Sequence, residues 1–156
     1  MRYFITLIVV IVIVAVVIGF WLVGSPQQER LRRFDERRVQ DLQILQSEII
    51  NYWMNKNFLP NNLSALKDDI RGFIPPKDPQ TRKDYDYNVG NSQNLIFELC
   101  AHFTLSNMNG TSEISAPKPF YSSDYYADQQ NWRHDSGLVC FERKIDPDFY
   151  RPKQKF

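Results

Sequence analysis

The chain carries no charged side chain from Tyr3 to Val23, and most residues of this run are valine or isoleucine. At about 1.5 Å of rise per residue, a helix of this length reaches roughly 30 Å, the thickness of the hydrocarbon core of a bilayer. A lone segment in lipid must satisfy every backbone N–H and C=O within itself, so only a helix suits it. The run therefore predicts one membrane-spanning anchor, which we assign to residues 1–24.

A cleaved signal peptide is the alternative for this run. Its apolar region is usually shorter, and small residues follow it at the cleavage site. In this chain Gly19 is followed by Phe20, Trp21 and two further apolar residues. We therefore favour a retained anchor, with Tyr3 and Trp21 at the two membrane interfaces.

The charges of the chain exclude some classes of function. Its 19 Lys and Arg residues and 18 Asp and Glu residues give a formal net charge of +1. Only Arg2 lies before residue 24, so bases and acids balance in the rest of the chain. Nucleic-acid binding needs a basic excess, and we expect no nucleic-acid partner.

A second helix is predicted after the apolar run. Ser25 is suited to cap a helix that begins at Pro26. Apolar residues then recur at intervals of three and four, and charged residues occupy the other faces. The apolar positions are Leu31, Phe34, Leu42, Leu45, Ile49 and Tyr52, and the charged ones are Arg32, Arg33, Glu36, Arg37, Asp41 and Glu48. We expect an amphipathic helix of about 30 residues that ends near Asn55–Asn57 and covers the chain's own sheet. Packing of the stripe on sister helices is the alternative.

The rest of the chain predicts a small antiparallel sheet. Asn62 can cap a short helix that reaches Lys67. Beyond a proline-rich connector, Tyr85–Val89 alternates as a half-buried strand does, and Leu95–Leu105 is the clearest period-two pattern in the chain. A third apolar run is Leu138–Phe141. The predicted fold is α+β, with residues 25–156 as the head and Leu95–Leu105 as its central strand.

Two cysteines and two histidines make up the set of soft metal ligands: Cys100, His102, His134 and Cys140. A zinc site is conceivable if the last strand lies beside the central one. The spacings match no common zinc motif, however, and an exported domain tends to use two cysteines as a disulfide. We favour a Cys100–Cys140 disulfide, with a metal site or unpaired thiols as alternatives.

The polar and aromatic stretch before the third apolar run holds two further candidate sites. Asp124, Asp128 and Asp135 could bind calcium through their carboxylates, although they show no EF-hand spacing and are more often solvated. Tyr125, Tyr126 and Trp132 could stack on sugars or bases, but small domains commonly fold such rings into the core. We favour the core interpretation and expect no cofactor.

Enzyme motifs are missing from the sequence. The six glycines form neither a phosphate loop nor a dinucleotide fingerprint, and no Gly-x-Ser-x-Gly elbow occurs. Serine, histidine and aspartate are present, but nothing in their spacing nominates a catalytic triad. We expect a protein that is not an enzyme.

The order of these parts resembles the type IV pilin-like superfamily, and most closely the C-terminal domain of type II secretion major pseudopilins. The residues that carry the resemblance are Ile49 and Tyr52, Leu59-Pro60, Leu63 and Leu66, Asp78-Pro79 and Tyr85-x-Tyr87, within roughly residues 40–105. The resemblance implies a structural subunit whose N-terminal helix packs against sister subunits in the membrane, with an extracytoplasmic head.

The N-terminus departs from the pattern of that family. Phe4-Ile5-Thr6-Leu7-Ile8 looks like the start of a mature pilin, but no glycine precedes Phe4 and no glutamate follows Ile8. In the family, the glycine marks the cleavage site and the glutamate pairs with a neighbouring subunit. Without that glutamate, the segment could serve as an anchor alone.

The sequence gives two opposite indications of topology. Arg30, Arg32, Arg33, Arg37 and Arg38 follow the apolar run, and the positive-inside rule would place them in the cytoplasm. The expected disulfide and the resemblance favour a head outside the cytoplasm, with the arginines near lipid phosphates, and we adopt that prediction. One alternative is an anchored binding module that uses the aromatic stretch, and another is a metal protein facing the cytoplasm.

Overall fold

The computed structural model describes residues 2–23, 26–90, 94–108 and 129–150. The chain divides into two compact units, Met1–Arg33 and Phe34–Phe156. The elements are two helices, α1 (Arg2–Val23) and α2 (Pro26–Lys56), a short 3-10 helix (Leu63–Leu66), and three strands, β1 (Asp86–Val89), β2 (Ile96–Phe103) and β3 (Gly137–Lys144). The fold is therefore α+β with a small sheet, as the sequence predicts.

Helix α1, in the first unit, exposes all of its side chains from Arg2 to Ile18. Its 18-residue segment Arg2–Gly19 is long and apolar enough to cross a membrane, and it is alone in this among the described helices. A signal sequence can have the same length and composition. By length and composition, the segment is thus able to span a bilayer.

Helix α2 ends where the sequence predicts. Asn57 adopts a left-handed backbone conformation (φ 64°), and its N–H donates to the carbonyl of Trp53 at 2.7 Å. Asparagine tolerates this conformation, which commonly ends helices. After Leu59-Pro60, the Asn62 side chain accepts a hydrogen bond from the Ala65 N–H at 3.0 Å and caps the 3-10 helix. The short capped helix expected after Asn62 is confirmed.

The sheet is antiparallel with the order β1-β2-β3, so β2 is the central strand, as predicted. Tyr87 of β1 lies opposite Leu99 of β2. Cys100 of β2 lies opposite Cys140 of β3. Alternate residues of β2 point to opposite faces of the sheet, and this separates Phe97, Leu99 and Phe103 from Cys100.

One hydrophobic core joins α2 and the sheet in the second unit. Its members include Leu42, Leu45, Ile49 and Trp53 of α2, Phe97, Leu99 and Phe103 of β2, and Phe141 of β3. Leu45, Ile49 and Leu99 are completely inaccessible to solvent. The predicted packing of the helix stripe on the sheet is confirmed for Leu42, Leu45 and Ile49, and Tyr52 packs against the same core.

Candidate functional site

Cys100 and Cys140 form a disulfide, which confirms the favoured prediction. They occupy directly opposite positions on β2 and β3, and their Cα atoms are 4.0 Å apart. Because β2 points its core side chains the other way, the bond crosses the face of the sheet opposite α2. Cys100 is buried (3% exposed), whereas Cys140 is exposed.

The zinc alternative is ruled out by the disulfide, since both sulfurs are already bonded. His102 is exposed, and His134 is stacked on Phe103 with 3.7 Å between the ring centroids. Burial lowers the pKa of His134 below its usual value, and hydrogen bonding to Asp135 opposes this shift only in part. Within the described residues, no group of three or more histidine, cysteine or acidic side chains is arranged to hold a metal ion.

The calcium and aromatic candidates fall only partly within the described residues. Asp124, Asp128, Tyr125 and Tyr126 lie outside them. Asp135 is exposed and accepts a hydrogen bond from the Ser106 hydroxyl at 3.0 Å.

Trp132 belongs to the core and not to an open binding surface. It is 9% exposed, and its ring centroid lies 4.8 Å from that of Phe141. The guanidinium carbon of Arg143 lies 4.4 Å from the tryptophan ring centroid, a cation–π geometry. This placement agrees with the core interpretation favoured from the sequence.

The most distinctive arrangement of polar groups is a buried cluster around Arg38 of α2, which is 2% exposed. Its Nε donates to Asp78 Oδ2 at 2.6 Å, and its Nη1 donates to Asp35 Oδ1 at 2.6 Å. Nη2 donates to Gln80 Oε1 at 2.9 Å, and Nη1 is 3.3 Å from Thr104 Oγ1. We call Arg38, Asp35, Asp78, Gln80 and Thr104 the arginine cluster.

The two carboxylates of the arginine cluster connect α2 to two other parts of the second unit. Asp35 accepts the backbone N–H groups of Thr104 and Leu105, at 3.0 and 2.8 Å, and so binds the chain just after β2. Asp78 accepts the N–H of Thr81 at 2.7 Å and closes the turn before β1. One arginine thus fixes the helix to the turn and to the end of the central strand.

The ionisation of the cluster follows from these contacts. Burial alone would raise the pKa of Asp78, but its hydrogen bonds to Arg38 and Thr81 outweigh burial and bring the pKa to about 2. Burial alone would lower the pKa of Arg38, but the two carboxylates raise it above its usual value. Asp78 and Arg38 are therefore both charged at neutral pH, as an ion pair.

Asp41 lies close by and behaves differently. It was expected on a charged outer face of α2, but this is wrong, since Asp41 is 2% exposed. Its Oδ2 accepts the Tyr85 hydroxyl at 2.9 Å, and its Oδ1 lies 3.3 Å from Arg37 Nε. Burial raises the pKa of Asp41, and the contacts with Tyr85 and Arg37 reduce that rise.

The arginine cluster is not among the sites that the sequence predicts. Asp35, Arg38 and Asp41 follow each other at intervals of three, on the helix face that continues as Leu42 and Leu45. Charged residues that continue an apolar stripe are the sequence pattern from which a buried polar cluster could have been predicted. The partners are distant in sequence, 40 residues for Asp78 and 66 for Thr104.

The arginine cluster is suited to holding the fold. Asp35 and Asp78 are 4% and 8% exposed, and both are bound to Arg38 and to backbone amides. Acid–base or nucleophilic chemistry requires a group that can reach a substrate.

Comparison with protein-family models, with curated proteins and with solved structures gives no match for this chain.

Proposed function

We propose that this chain is a membrane-anchored, pilin-like or pseudopilin-like structural or assembly component of a bacterial secretion or surface-filament system, and not an enzyme. The observation that carries the proposal is the order of its parts. An apolar helix, α1, is followed by a long amphipathic helix, α2, whose second half shares a core with a small antiparallel sheet.

In this proposal α1 anchors the chain and packs against the α1 helices of sister subunits. Apart from Thr6, its side chains from Tyr3 to Ile18 are apolar or aromatic and exposed around the whole helix, so lipid or other helices must cover them. Tyr3 and Thr6 carry the hydroxyl groups of the run, and the Thr6 Oγ1 donates to Arg2 O at 2.8 Å within the same helix. The lateral contacts would therefore be close packing of apolar side chains.

The proposal places the head outside the cytoplasm. The Cys100–Cys140 disulfide supports this placement, because such bonds persist in oxidising compartments and are rare in the cytosol. The arginine cluster and the disulfide would then keep the head rigid while the helices carry the assembly.

Cysteine crosslinking in a bilayer tests the assembly. The full chain is reconstituted in lipid with a single additional cysteine at each position from 9 to 15 of α1, leaving Cys100 and Cys140 bonded to each other. If α1 packs on sister helices through one face, oxidation gives dimers whose yield peaks every three to four residues, the period of a helix. Lys83→Cys, at an exposed site of the head, is the control for random collision.

Uniform crosslinking along α1, or none above the Lys83→Cys control, would contradict assembly through this helix. Imaging of material extracted from native membranes provides a second measurement. Filaments or ordered bundles support the proposal, whereas isolated single chains would favour the alternative of an anchored binding module.

A further inference from the structure

The Cys100–Cys140 disulfide lies on the face of the sheet opposite α2. Residues two apart on a strand, and directly opposite residues on neighbouring strands, share a face. His102 of β2 and Leu138 of β3 therefore share the face of the disulfide, and both are exposed, Leu138 to 63%. Cys140 is exposed as well, whereas Cys100 is buried. Cys140 is thus the member of the bond that a reagent in solution can reach.

Three carboxylates surround the disulfide on this face. Asp86 of β1 lies directly opposite Cys100, on the side away from Cys140. Glu98 precedes Cys100 by two residues, and Glu142 follows Cys140 by two. The two glutamates lie directly opposite each other. We call Asp86, Glu98 and Glu142 the acidic collar.

The stability of the sheet does not explain the acidic collar. Like charges directly opposite each other on neighbouring strands are unfavourable, and Glu98 and Glu142 are such a pair. Within the described residues, none of the three carboxylates has a hydrogen bond or an ion pair. Lys144 shares the face but lies four residues from Cys140, with Glu142 between them. Above the pH range in which imidazoles titrate, the potential around the disulfide is therefore negative.

Thiol–disulfide exchange responds to such a potential because the attacking species is a thiolate. The thiolate forms a bond to Cys140 Sγ while the bond to Cys100 breaks. The electron pair of that bond leaves on Cys100 Sγ, which then takes a proton from water. A second thiolate attacks the mixed disulfide and leaves as the oxidised reagent, and Cys140 is released and protonated. The chain thus gains two electrons and two protons, which two molecules of the thiol reagent supply.

We propose that Cys140 Sγ is a site of thiol–disulfide exchange at which the acidic collar favours cationic thiols over anionic ones. A thiolate that carries further negative charge is repelled on approach, whereas an ammonium group beside the thiolate is attracted. The exposed bond is thereby protected from anionic thiols and remains open to cationic ones. This inference concerns the head alone and does not depend on the assembly proposed above.

Reduction kinetics of the full chain in an uncharged detergent test the proposal. The probes are glutathione, an anionic thiol, and cysteamine, a cationic one, at low ionic strength and a pH of about 8, where imidazoles are neutral. Samples are quenched with N-ethylmaleimide, and the intact mass counts the maleimides on the two cysteines of the chain. The readout is the ratio of the cysteamine rate constant to the glutathione rate constant. A substitution that changes the disulfide itself changes both rate constants, so its effect cancels in the ratio.

Variants of the face should change this ratio in a defined way. Combining Glu98→Gln with Glu142→Gln removes two negative charges and should lower the ratio about fourfold. Leu138→Lys places a cation two residues from Cys140, at an exposed position, and should lower the ratio about twofold. Asp69→Asn is the control, since it removes a carboxylate that is 83% exposed and lies outside the sheet. It should leave the ratio unchanged.

A ratio that the double glutamine variant leaves unchanged, or that Asp69→Asn lowers equally, would overturn the proposal. Urea at concentrations below the unfolding transition provides a second measurement. Rate constants that are nearly independent of urea support direct attack on the folded chain. Rate constants that rise steeply with urea would mean that the bond is reached only through unfolding, and would also overturn the proposal.

Discussion

Arg38 shows how a charged helix residue can be a central part of a core. It is nearly inaccessible to solvent, yet each arm of its guanidinium group has an acceptor. Moving a charge from water into a protein costs several kcal/mol, and only good geometry with additional hydrogen bonds offsets that cost. The backbone amides bound by Asp35 and Asp78 supply those bonds. Removing one member of the arginine cluster should therefore lower the stability of the fold by more than the number of its hydrogen bonds suggests.

Asp78→Asn should destabilise the head in a pH-dependent way. The pKa of Asp78 is about 2, below its usual 3.8. Its stabilising effect is therefore present above the usual pKa and disappears as the pH falls from about 4 to 2. At neutral pH we expect the free energy of unfolding to fall by about 3 kcal/mol. Denaturant titrations followed by tryptophan fluorescence across this pH range measure the effect.

Asp41→Asn is the matched control for that variant. Burial raises the pKa of Asp41, so its charged form is disfavoured in the folded state, and an uncharged substitute should cost little at neutral pH. Asparagine can still accept the Tyr85 hydroxyl through its carbonyl oxygen. An Asp41→Asn chain as unstable as Asp78→Asn, or a loss from Asp78→Asn that persists at pH 2, would contradict this account.

At the residue scale the sequence predicted the apolar positions and missed the charged ones. Leu42, Leu45 and Ile49 follow from helical periodicity, because burial of an apolar stripe needs no particular partner. Burial of Arg38 depends on its ion pair with Asp78, and only the fold of the chain between the two residues brings them together. Charged residues are usually exposed, and pattern reasoning therefore assigned Asp41 to the solvent.

At the scale of elements, α2 is held by one narrow face. Leu45 is completely buried, whereas the preceding residue, Ile44, is 42% exposed. The two residues have side chains of equal size and differ mainly in the direction in which the helix presents them. This pair allows the contribution of the buried face to be measured directly.

Leu45→Ala should lower the free energy of unfolding by about 3 kcal/mol, since it removes buried methyl groups and leaves a cavity. Ile44→Ala, one position away, should change it by less than about 0.5 kcal/mol. Chemical denaturation of both variants under identical conditions measures the difference. Equal effects would mean that the helix does not pack on the sheet through the face described here.

The strands illustrate a different limit of sequence reasoning. The period-two pattern predicted β2 and its central position, because a strand with one buried face must alternate. Trp132 was harder to place, since an aromatic ring in a polar segment fits both a core and a ligand surface. Its packing on Phe141 beneath Arg143 depends on β3 contacts that no local pattern encodes.

At the scale of the whole molecule, the arginines and the disulfide make opposite predictions of topology. Arg30, Arg32 and Arg33 follow the apolar run and would favour the cytoplasm. A bond between Cys100 and Cys140 favours an oxidising compartment. We consider the disulfide the stronger indication, because arginines beside a membrane can also contact lipid phosphates.

Thiol labelling on intact cells tests this topology. After mild reduction, a membrane-impermeant maleimide should label the head, and Cys140 should react before Cys100 because it is the exposed member of the pair. Cys140→Ser should remove the faster reaction. Labelling that occurs only after lysis would place the head in the cytoplasm. A cytosolic thiol protein that stays unlabelled shows that the cells are intact.

The Cys100–Cys140 disulfide between β2 and β3 also determines the effect of a single proteolytic cut in the chain. It closes a loop with a sequence separation of 40, which restricts the denatured ensemble and corresponds to about 4 kcal/mol in a chain-entropy estimate. A protease that nicks the backbone between the two cysteines releases neither fragment, because the sulfur bridge keeps them joined. The nicked chain would migrate as one species on a non-reducing gel and as two after reduction, with both halves of the sheet retained until then.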